Sequence, residues 1–573
     1  MAASLFLGPH GENAQFFQQI WGELLHRTLQ HRRDTFPADG SAEVSPPDRQ
    51  QVEAVEQEIG NFFAILQKEV PTFSNRYLGH MISDVSIPAL IGNAAVLFCN
   101  PNLASKEVAS AGLQIEMQAI NALARMIGLE PGSARGHFTS GGTVANFEAF
   151  WRARFRLDHW LSMAAWLLEK GHTQQGIFEL AHQGWDAFYR NTAGFHVEIA
   201  ELAKRSYVLQ GPWDIAMYYR DTLQREFPQP VVLVPGNKHY SWPKSANIFG
   251  VSEKAIWLTE LDRFGRVSIA SLRRNIDKAR REQRPIMMNV SVAGTTELGT
   301  VDAVDAACDL FDEYRRQENI DIWHHVDAAY GGYFCSTFRD GKSLLPDTAI
   351  AAFSALARAD SVTLDPHKLG FVPYACGAFL VRDPRAYSVS QISAPYLVED
   401  KQIDHPSWST TFEGSRSATG AGAVWLSARV LPLDASGHGA ILNQTLATTS
   451  RLAQKLQQAF DNIYFTPGRD TNIVGFTLAK TGSGLKETNR STGAIIDRFS
   501  HSPNFAISRT ALGIGSYRAM IDDVVGQWQG IVDDDHLLVI RMVVMSPYLG
   551  DKATTDALLD AFIAELKSFA APQ

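Results

Sequence analysis

Residues 323–332 read Trp-His-His-Val-Asp-Ala-Ala-Tyr-Gly-Gly, and residues 361–368 read Ser-Val-Thr-Leu-Asp-Pro-His-Lys. Each stretch begins as a short strand and ends in polar residues, with Asp327 in the first and Lys368 in the second. In open α/β sheets, ligands bind beyond the carboxyl ends of the strands. The two stretches therefore predict one site to which Asp327 and Lys368 both contribute.

Strands and helices alternate around these stretches, which indicates a mainly parallel sheet covered by helices on both faces. The predicted strands are Val231–Val234, Ala255–Leu258, Ile286–Ala293, Trp323–Asp327 and Ser361–Asp365. Apolar periodicity predicts helices between them at Ser268–Arg281 and Ala303–Gln317.

Three regions are predicted along the chain: a helical N-terminal segment (1–104), a large α/β domain (105–435) and a small α+β domain (436–573). The helix predicted at Val52–Val70 carries an apolar stripe that must be covered, either by the main domain or by a partner subunit. Residues 158–230 are too long for a connection within such a sheet and are predicted to form a helical insertion.

The composition is that of an ordinary globular protein: 573 residues, 45% hydrophobic and 20% charged. The net charge of −9 argues against nucleic acid or an anionic membrane as the main partner. No apolar run reaches the roughly 18 residues of a membrane helix. Four widely spaced cysteines favour reduced thiols over a disulfide framework or a metal site, and the N-terminus lacks signal-peptide features, so we expect a cytoplasmic protein.

A lysine and a carboxylate at neighbouring strand ends are what pyridoxal phosphate requires. The lysine holds the cofactor aldehyde as a Schiff base, and the carboxylate pairs with the pyridinium nitrogen. Residues 369–381 are almost uncharged, which predicts buried surroundings for a nucleophilic Lys368 amine. Ala329 is small and would leave room for the ring on the same side of its strand as Asp327.

A glycine-containing loop precedes the helix predicted at Val144–Arg156. It reads Ser140-Gly141-Gly142-Thr143. Glycines let backbone amides approach an anion, and a helix N-terminus adds N–H groups and a positive dipole end. The loop is therefore a candidate phosphate site, although the same pattern would also serve as a glycine turn with a Ser/Thr cap.

Two further residues follow predicted strands. His239 could stack on the cofactor ring and pass a proton, and Thr295 could donate a hydrogen bond to the 3-oxygen of the ring. Either residue alone could be an ordinary loop residue. The phosphate loop, His239, Asp327 and Lys368 together favour a shared site.

With these residues the sequence resembles the group II pyridoxal phosphate-dependent amino-acid decarboxylases, a fold-type I family, and within it the bacterial tyrosine decarboxylases. The resemblance implies a mainly parallel sheet of seven strands. The most specific matches are residues 325–332 and 365–368. Further matches lie at 77–81, 238–242, 370–374, 413–416 and 541–548.

The resemblance implies a homodimer, with the N-terminal segment wrapped on the partner and active sites at the interface. It assigns the roles argued above to Lys368, Asp327 and His239, and places Ser140 and Thr143 near the phosphate. His367 would also lie near the cofactor. Many members of the family have asparagine at the position of Asp365, and an aspartate beside a phosphate is repelled unless it is paired or points away.

The resemblance also implies residues that act on the substrate. Tyr396 falls in a region that forms a mobile catalytic loop in the family, whose tyrosine protonates the carbanion, and Tyr374 matches another tyrosine near the site. Arg541 matches the arginine that binds the substrate carboxylate. His80 would reach the substrate from the neighbouring subunit.

The predicted reaction is decarboxylation of an L-amino acid to the amine and carbon dioxide, with tyrosine or another aromatic amino acid as substrate. Glutamate or aspartate is the alternative substrate. A carbon–carbon lyase or an aminotransferase would share the fold, and a catalytically silent paralogue with a binding or regulatory role is a further alternative. Intact Lys368, Asp327 and His239 count against the silent paralogue, and no metal site is predicted.

Overall fold

The computed structural model describes residues 2–35, 45–130, 132–391 and 406–571. Its strands, in chain order, are β1 Tyr77–Leu78, β2 Arg135–Thr139, β3 Val231–Pro235, β4 Ile256–Thr259, β5 Ile286–Val292, β6 His324–Asp327, β7 Ser361–Leu364, β8 Gly377–Val381, β9 Ile463–Phe465, β10 Ile473–Leu478, β11 Ala506–Gly513 and β12 His536–Val543.

The α-helices are α1 Ala14–Thr35, α2 Arg49–Leu66, α3 Ile87–Cys99, α4 Lys106–Ile127, α5 Gly142–Glu169, α6 Ile177–Leu180, α7 Gly184–Gly194, α8 Ile199–Leu202, α9 Pro212–Thr222, α10 Ser241–Ile248, α11 Ile269–Arg281, α12 Val304–Glu318, α13 Asp347–Ser354, α14 Arg385–Ser388, α15 Thr419–Val430, α16 His438–Ala459, α17 Leu485–Phe499, α18 Ile514–Gln527 and α19 Lys552–Ala570. Short 3₁₀ helices lie at Ala2–Leu5, Ala203–Arg205, Glu253–Ala255, Gly331–Thr337 and Ala355–Arg358.

The larger sheet has seven strands in the order β2-β8-β7-β6-β5-β3-β4. Strands β3 to β7 pair in parallel, and β8 runs antiparallel to both of its neighbours. The predicted mainly parallel seven-stranded sheet is therefore confirmed. Strands β2 and β8 complete it, although the sequence pattern had not marked either of them as a strand.

Helix α5 begins at the predicted phosphate loop but runs thirteen residues beyond its expected end at Arg156, to Glu169. Most of its side chains are buried, as expected for a helix packed on several sides. The first part of the predicted insertion is therefore a continuation of α5, and the short helices α6 to α9 follow it. This packing holds the N-terminus of α5 rigidly beside the sheet.

A second sheet of five strands has the order β1-β11-β12-β10-β9. Strand β1 comes from the N-terminal segment and pairs in parallel with β11, so residues next to it reach the sheet that carries β12. Helix α3 is largely buried within the chain, whereas α1 and α2 have no buried residues. The division of the chain at 104 and 435 stays a prediction.

None of the helices in the described ranges combines the length and the apolar character that crossing a membrane requires.

Candidate active site

A cavity of about 680 Å³ opens at the carboxyl ends of β3, β5, β6 and β7, and Arg541 on β12 of the smaller sheet also lines it. This is where ligands bind in open α/β sheets. The cavity brings together most of the predicted site residues, namely Ser140, Gly141, Gly142, Thr143, His239, Asp327, Ala329, His367, Lys368, Tyr374 and Arg541. His80, which the resemblance placed in the site of the neighbouring subunit, lines the cavity of its own chain.

The phosphate loop connects β2 to α5, so the N-terminus of a long helix points into the cavity. At two positions other atoms approach the backbone so closely that only glycine fits. A Cβ on Gly142 would lie 2.7 Å from an oxygen of Asp365, and a Cβ on Gly377 would lie 2.6 Å from the backbone of Gly141. The loop therefore packs against the end of β7 and the start of β8, and the Ser140 N–H and hydroxyl donate to the Glu413 carboxylate. The N–H groups of the first turn of α5 have no partner within the helix, as at any helix N-terminus, and can bind an anion.

Asp327 ends β6 in the middle of the sheet and is 5% exposed. Its two oxygens are held separately: Oδ2 accepts from the side-chain nitrogen of Asn146 at 2.8 Å, and Oδ1 accepts from the Ala329 N–H at 3.3 Å. The plane of the carboxylate is therefore fixed before any ligand arrives.

Lys368 lies in the turn after β7, and its side chain is 20% exposed. Its Nζ is 3.1 Å from Oδ2 of Asp365, and the Nε2 of His367 is 3.5 Å from the same oxygen. The sequence did not decide whether Asp365 has a charged partner. In the structure, Asp365 forms an ion pair with Lys368. Burial lowers the pKa of His367, which favours its neutral form.

His239 lies between β3 and α10, and its Nδ1 is 2.9 Å from the Ser241 hydroxyl. Burial lowers the pKa of His239 although Asp327 acts in the opposite direction. Tyr374 stacks on His367 with ring centroids 3.9 Å apart. Burial and the Asp365 carboxylate raise the pKa of Tyr374 to about 12, so its phenol keeps its proton at neutral pH.

Arg541 is 3% exposed and lies next to the residues that follow β1. Its Nη1 donates to the Gly79 carbonyl at 3.3 Å and to the Ser508 hydroxyl at 2.9 Å. Its Nε and Nη2 have no hydrogen-bond partner among the described residues. Such a guanidinium can take a carboxylate in a bidentate pair. Burial, together with Arg541, lowers the pKa of His80.

Comparisons with known proteins point to the same class of enzyme. A model of the pyridoxal-dependent decarboxylase conserved domain matches residues 217–477, which include His239, Asp327 and Lys368. The chain is 28% identical to the L-tyrosine decarboxylase of Levilactobacillus brevis, over 96% of this chain and 94% of that protein. It is 26% identical to the L-tyrosine decarboxylase of Enterococcus faecalis, over 98% and 96% of the two chains.

The chain is similar to the pyridoxal-dependent decarboxylase family over residues 217–477, and to L-tyrosine decarboxylases over nearly its whole length. It is therefore a pyridoxal phosphate-dependent amino-acid decarboxylase. Among solved structures, the tryptophan decarboxylase of Catharanthus roseus in complex with L-tryptophan has the same fold, with a TM-score of 0.62 and 15% identity over 97% of this chain and 98% of that one. The fold is the expected fold type I.

The cavity of this decarboxylase fits its cofactor. The glycine cradle at the N-terminus of α5 suits a phosphate, Asp327 presents a fixed carboxylate, and Lys368 supplies a primary amine to the same 680 Å³ space. Gly142 and Ala329 are small where the cradle meets the sheet: a Cβ on Gly142 would already lie 3.2 Å from the Ala329 Cβ. Larger side chains there would fill the space that the cofactor needs.

The structure corrects the prediction for Thr295, because this residue does not line the cavity. Its side chain is 1% exposed, and its hydroxyl lies 2.9 Å from the Thr300 hydroxyl and accepts the Thr300 N–H. The turn after β5 therefore uses this hydroxyl internally. The next residue, Thr296, lines the cavity instead. Tyr396 lies outside the described residues.

Sequence reasoning missed Asn146, which lines the cavity and is 1% exposed. It lies on α5 four residues after Gly142, and residues with this spacing share one face of a helix. The spacing could have indicated Asn146, because a residue four positions after the phosphate loop lies on the same face of the helix, and that face packs toward the sheet.

Proposed function

We propose that this decarboxylase converts L-tyrosine to tyramine and carbon dioxide. The observation that carries the proposal is a cavity with aromatic walls whose histidines are held neutral, at the site that also holds Lys368 and Asp327. The similarity to two bacterial L-tyrosine decarboxylases over nearly the whole chain supports it.

Lys368 would hold the cofactor covalently, Asp327 would pair with its ring nitrogen, and residues 140–143 would bind its phosphate. When bound, pyridoxal phosphate supplies a protonated ring that accepts the electron pair left at Cα when carbon dioxide departs.

The other side chains act on the substrate. Arg541 orients it through its carboxylate with the two nitrogens that have no partner among the described residues. The Tyr374 phenol, which keeps its proton at neutral pH, delivers a proton to Cα. The neutral His239 ring covers one face of the site. The Lys368 amine would hold the cofactor again when the amine product leaves.

The charges of the cavity favour an aromatic over an acidic substrate. Among its described lining residues, Lys368 is the one lysine and Arg541 the one arginine, and both already have a role. Burial lowers the pKa values of His80, His239 and His367, so these rings offer no counter-ion to a glutamate or aspartate side chain. Aromatic side chains line the same space, namely Tyr77, Tyr240, Tyr330 and Tyr374.

The test is to incubate the purified holoenzyme with each of the twenty amino acids and to measure carbon dioxide and amine. We expect tyramine, with kcat/KM for tyrosine at least about 10²-fold above that for glutamate or aspartate, because an unpaired buried charge is strongly rejected. Products from the acidic amino acids alone would overturn the substrate but not the reaction. No product from any amino acid would favour the silent paralogue.

We also propose a homodimer. Helix α2 has no buried residue in the chain, yet it exposes large apolar side chains, including Val55, Ile59, Phe62 and Phe63, each more than half exposed. A helix of this length gains most of its stability from packing an apolar face, and contiguous apolar patches mark interfaces. A second copy of the chain, wrapped by this segment, would cover the patch.

Replacing Phe62 with aspartate is expected to shift the protein from dimer to monomer in analytical ultracentrifugation, because it places a charge in the apolar stripe. The matched control is Gln57→Asp, which adds the same charge to an exposed polar position of α2. The control should stay dimeric. A monomeric wild-type protein, or a Phe62→Asp variant that is still dimeric, would contradict the proposal.

A cytoplasmic location is part of the same proposal. The four cysteines are all free thiols, three of them buried, as expected for a protein kept in a reducing compartment.

A further inference from the structure

Asn146 connects two parts of the active site that are distant in sequence. Its side-chain nitrogen Nδ2 donates to Oδ2 of Asp327 at 2.8 Å and to the Ser241 hydroxyl oxygen at 3.0 Å. Its oxygen Oδ1 accepts from the Thr363 hydroxyl at 2.8 Å. Both hydrogens of the amide and its oxygen are therefore engaged, at a position that is 1% exposed.

Hydrogen-bond donors and acceptors decide which end of the Asn146 amide faces Asp327. An ionised carboxylate only accepts hydrogen bonds, so the amide nitrogen must face Asp327. The Nε2 of His325 lies 3.3 Å from the amide oxygen, and the other ring nitrogen of His325 lies 2.8 Å from the Ser361 hydroxyl. These buried partners on β6 and β7 oppose a flip of the Asn146 amide.

The orientation of Asn146 sets the hydrogen bonds of Ser241. Because the Ser241 oxygen accepts from Asn146, its single hydroxyl hydrogen can be donated to Nδ1 of His239, 2.9 Å away. The Ser241 N–H also donates to Nδ1, at 3.3 Å. Both donors make Nδ1 an acceptor, which leaves the proton of the neutral ring on Nε2.

We propose that Asn146 is a positioning residue that fixes the Asp327 carboxylate and the Nε2–H tautomer of His239 through one amide group. The inference rests on the proposed function only for its effect on catalysis, since the tautomer and the carboxylate orientation are properties of the protein itself. It assigns His239 the role of a neutral hydrogen-bond donor in the cavity. Burial, which lowers the pKa of His239, agrees with this role.

The test compares Asn146→Leu, which removes both arms, with Ser241→Ala, which removes only the hydroxyl between Asn146 and His239. Nitrogen NMR of protein carrying labelled histidine reports the tautomer, with the His239 signal assigned by its loss in His239→Gln. We expect a pure Nε2–H form in the wild type and a mixture of tautomers in both variants. Fluorescence titration should show pyridoxal phosphate binding about tenfold weaker in Asn146→Leu, through the loss of a hydrogen bond to a charged group, and little changed in Ser241→Ala.

The matched control is Asn489→Leu. Asn489 is a buried amide that donates to the Asp534 carboxylate and to the His536 carbonyl, and it does not line the cavity. It should lose stability without any change in the His239 signal or in cofactor affinity. An unchanged tautomer and an unchanged affinity in Asn146→Leu would overturn the proposal. If that variant does not fold, an unchanged tautomer in Ser241→Ala overturns the assignment of His239.

Discussion

Replacing Lys368 with alanine is expected to abolish steady-state decarboxylation, with a loss of at least roughly 10³-fold, the scale on which positioned catalytic groups act. The amine is the nucleophile of the cavity, and its Nζ is already held 3.1 Å from Asp365. Without it, the cofactor has no covalent attachment and the product has no group to displace it. Steady-state release of carbon dioxide and amine measures the loss.

The variant Lys368→Arg tests whether residue 368 is needed as a nucleophilic amine or only as a positive charge. Arginine keeps a cation beside Asp365 but stays protonated, so it cannot act as a nucleophile. We expect this variant to be as inactive as the alanine variant. After borohydride reduction, mass spectrometry should find the cofactor on residue 368 of the wild type and on neither variant. Substantial steady-state turnover in Lys368→Ala would rule out the assignment.

The second large effect is expected for Asp327→Asn, with kcat/KM reduced about 10- to 100-fold, as for the loss of a hydrogen bond to a charged group. The variant keeps the size of the side chain but removes the negative charge that would hold a proton on the ring nitrogen. The protonated ring matters most in the chemical step, when electrons move from Cα into the ring, and less in substrate binding. We therefore expect kcat to fall more than substrate affinity. The measurement is a set of steady-state curves at saturating cofactor.

A suitable control is Asp302→Asn. Asp302 is a buried acid beside the same sheet, accepts the backbone N–H groups of Val267 and Val292, and does not line the cavity. Its replacement should change stability and leave kcat nearly unaltered. Equal losses of activity in the two variants would mean that Asp327 acts through the fold and not at the cofactor.

The central strands were predictable because they are continuous apolar runs, each ending at a polar turn. The five predicted strands lie within about one residue of β3 to β7 at both ends. Strands β2 and β8 were missed for opposite reasons. Residues 135–139 include Arg135 and His137 and look too polar, whereas 377–381 are part of a longer apolar run without a visible start. Both form strands because they pair with each other although they are far apart in sequence, and β8 also pairs with β7.

Among the site residues, prediction correctly placed in the cavity the side chains that lie at strand ends, as at Asp327 and Lys368, whose roles toward the cofactor stay predictions. It failed at Thr295, since the turn after β5 bonds that hydroxyl to Thr300 and presents Thr296 to the cavity. Side-chain direction within a turn depends on hydrogen bonds that a pattern of residue types does not encode.

The sequence alone determined the central strands β3 to β7, the helices α11 and α12 between them, and the resemblance to decarboxylases, because these depend on short local stretches. Only the tertiary structure decided that Asp365 pairs with Lys368, that β1 brings residues 77–80 beside Arg541, and that Asn146 joins Asp327 to Ser241. The last two are contacts between residues about a hundred to several hundred positions apart. They arise when helix α5 and the two sheets pack together, and no local pattern specifies them.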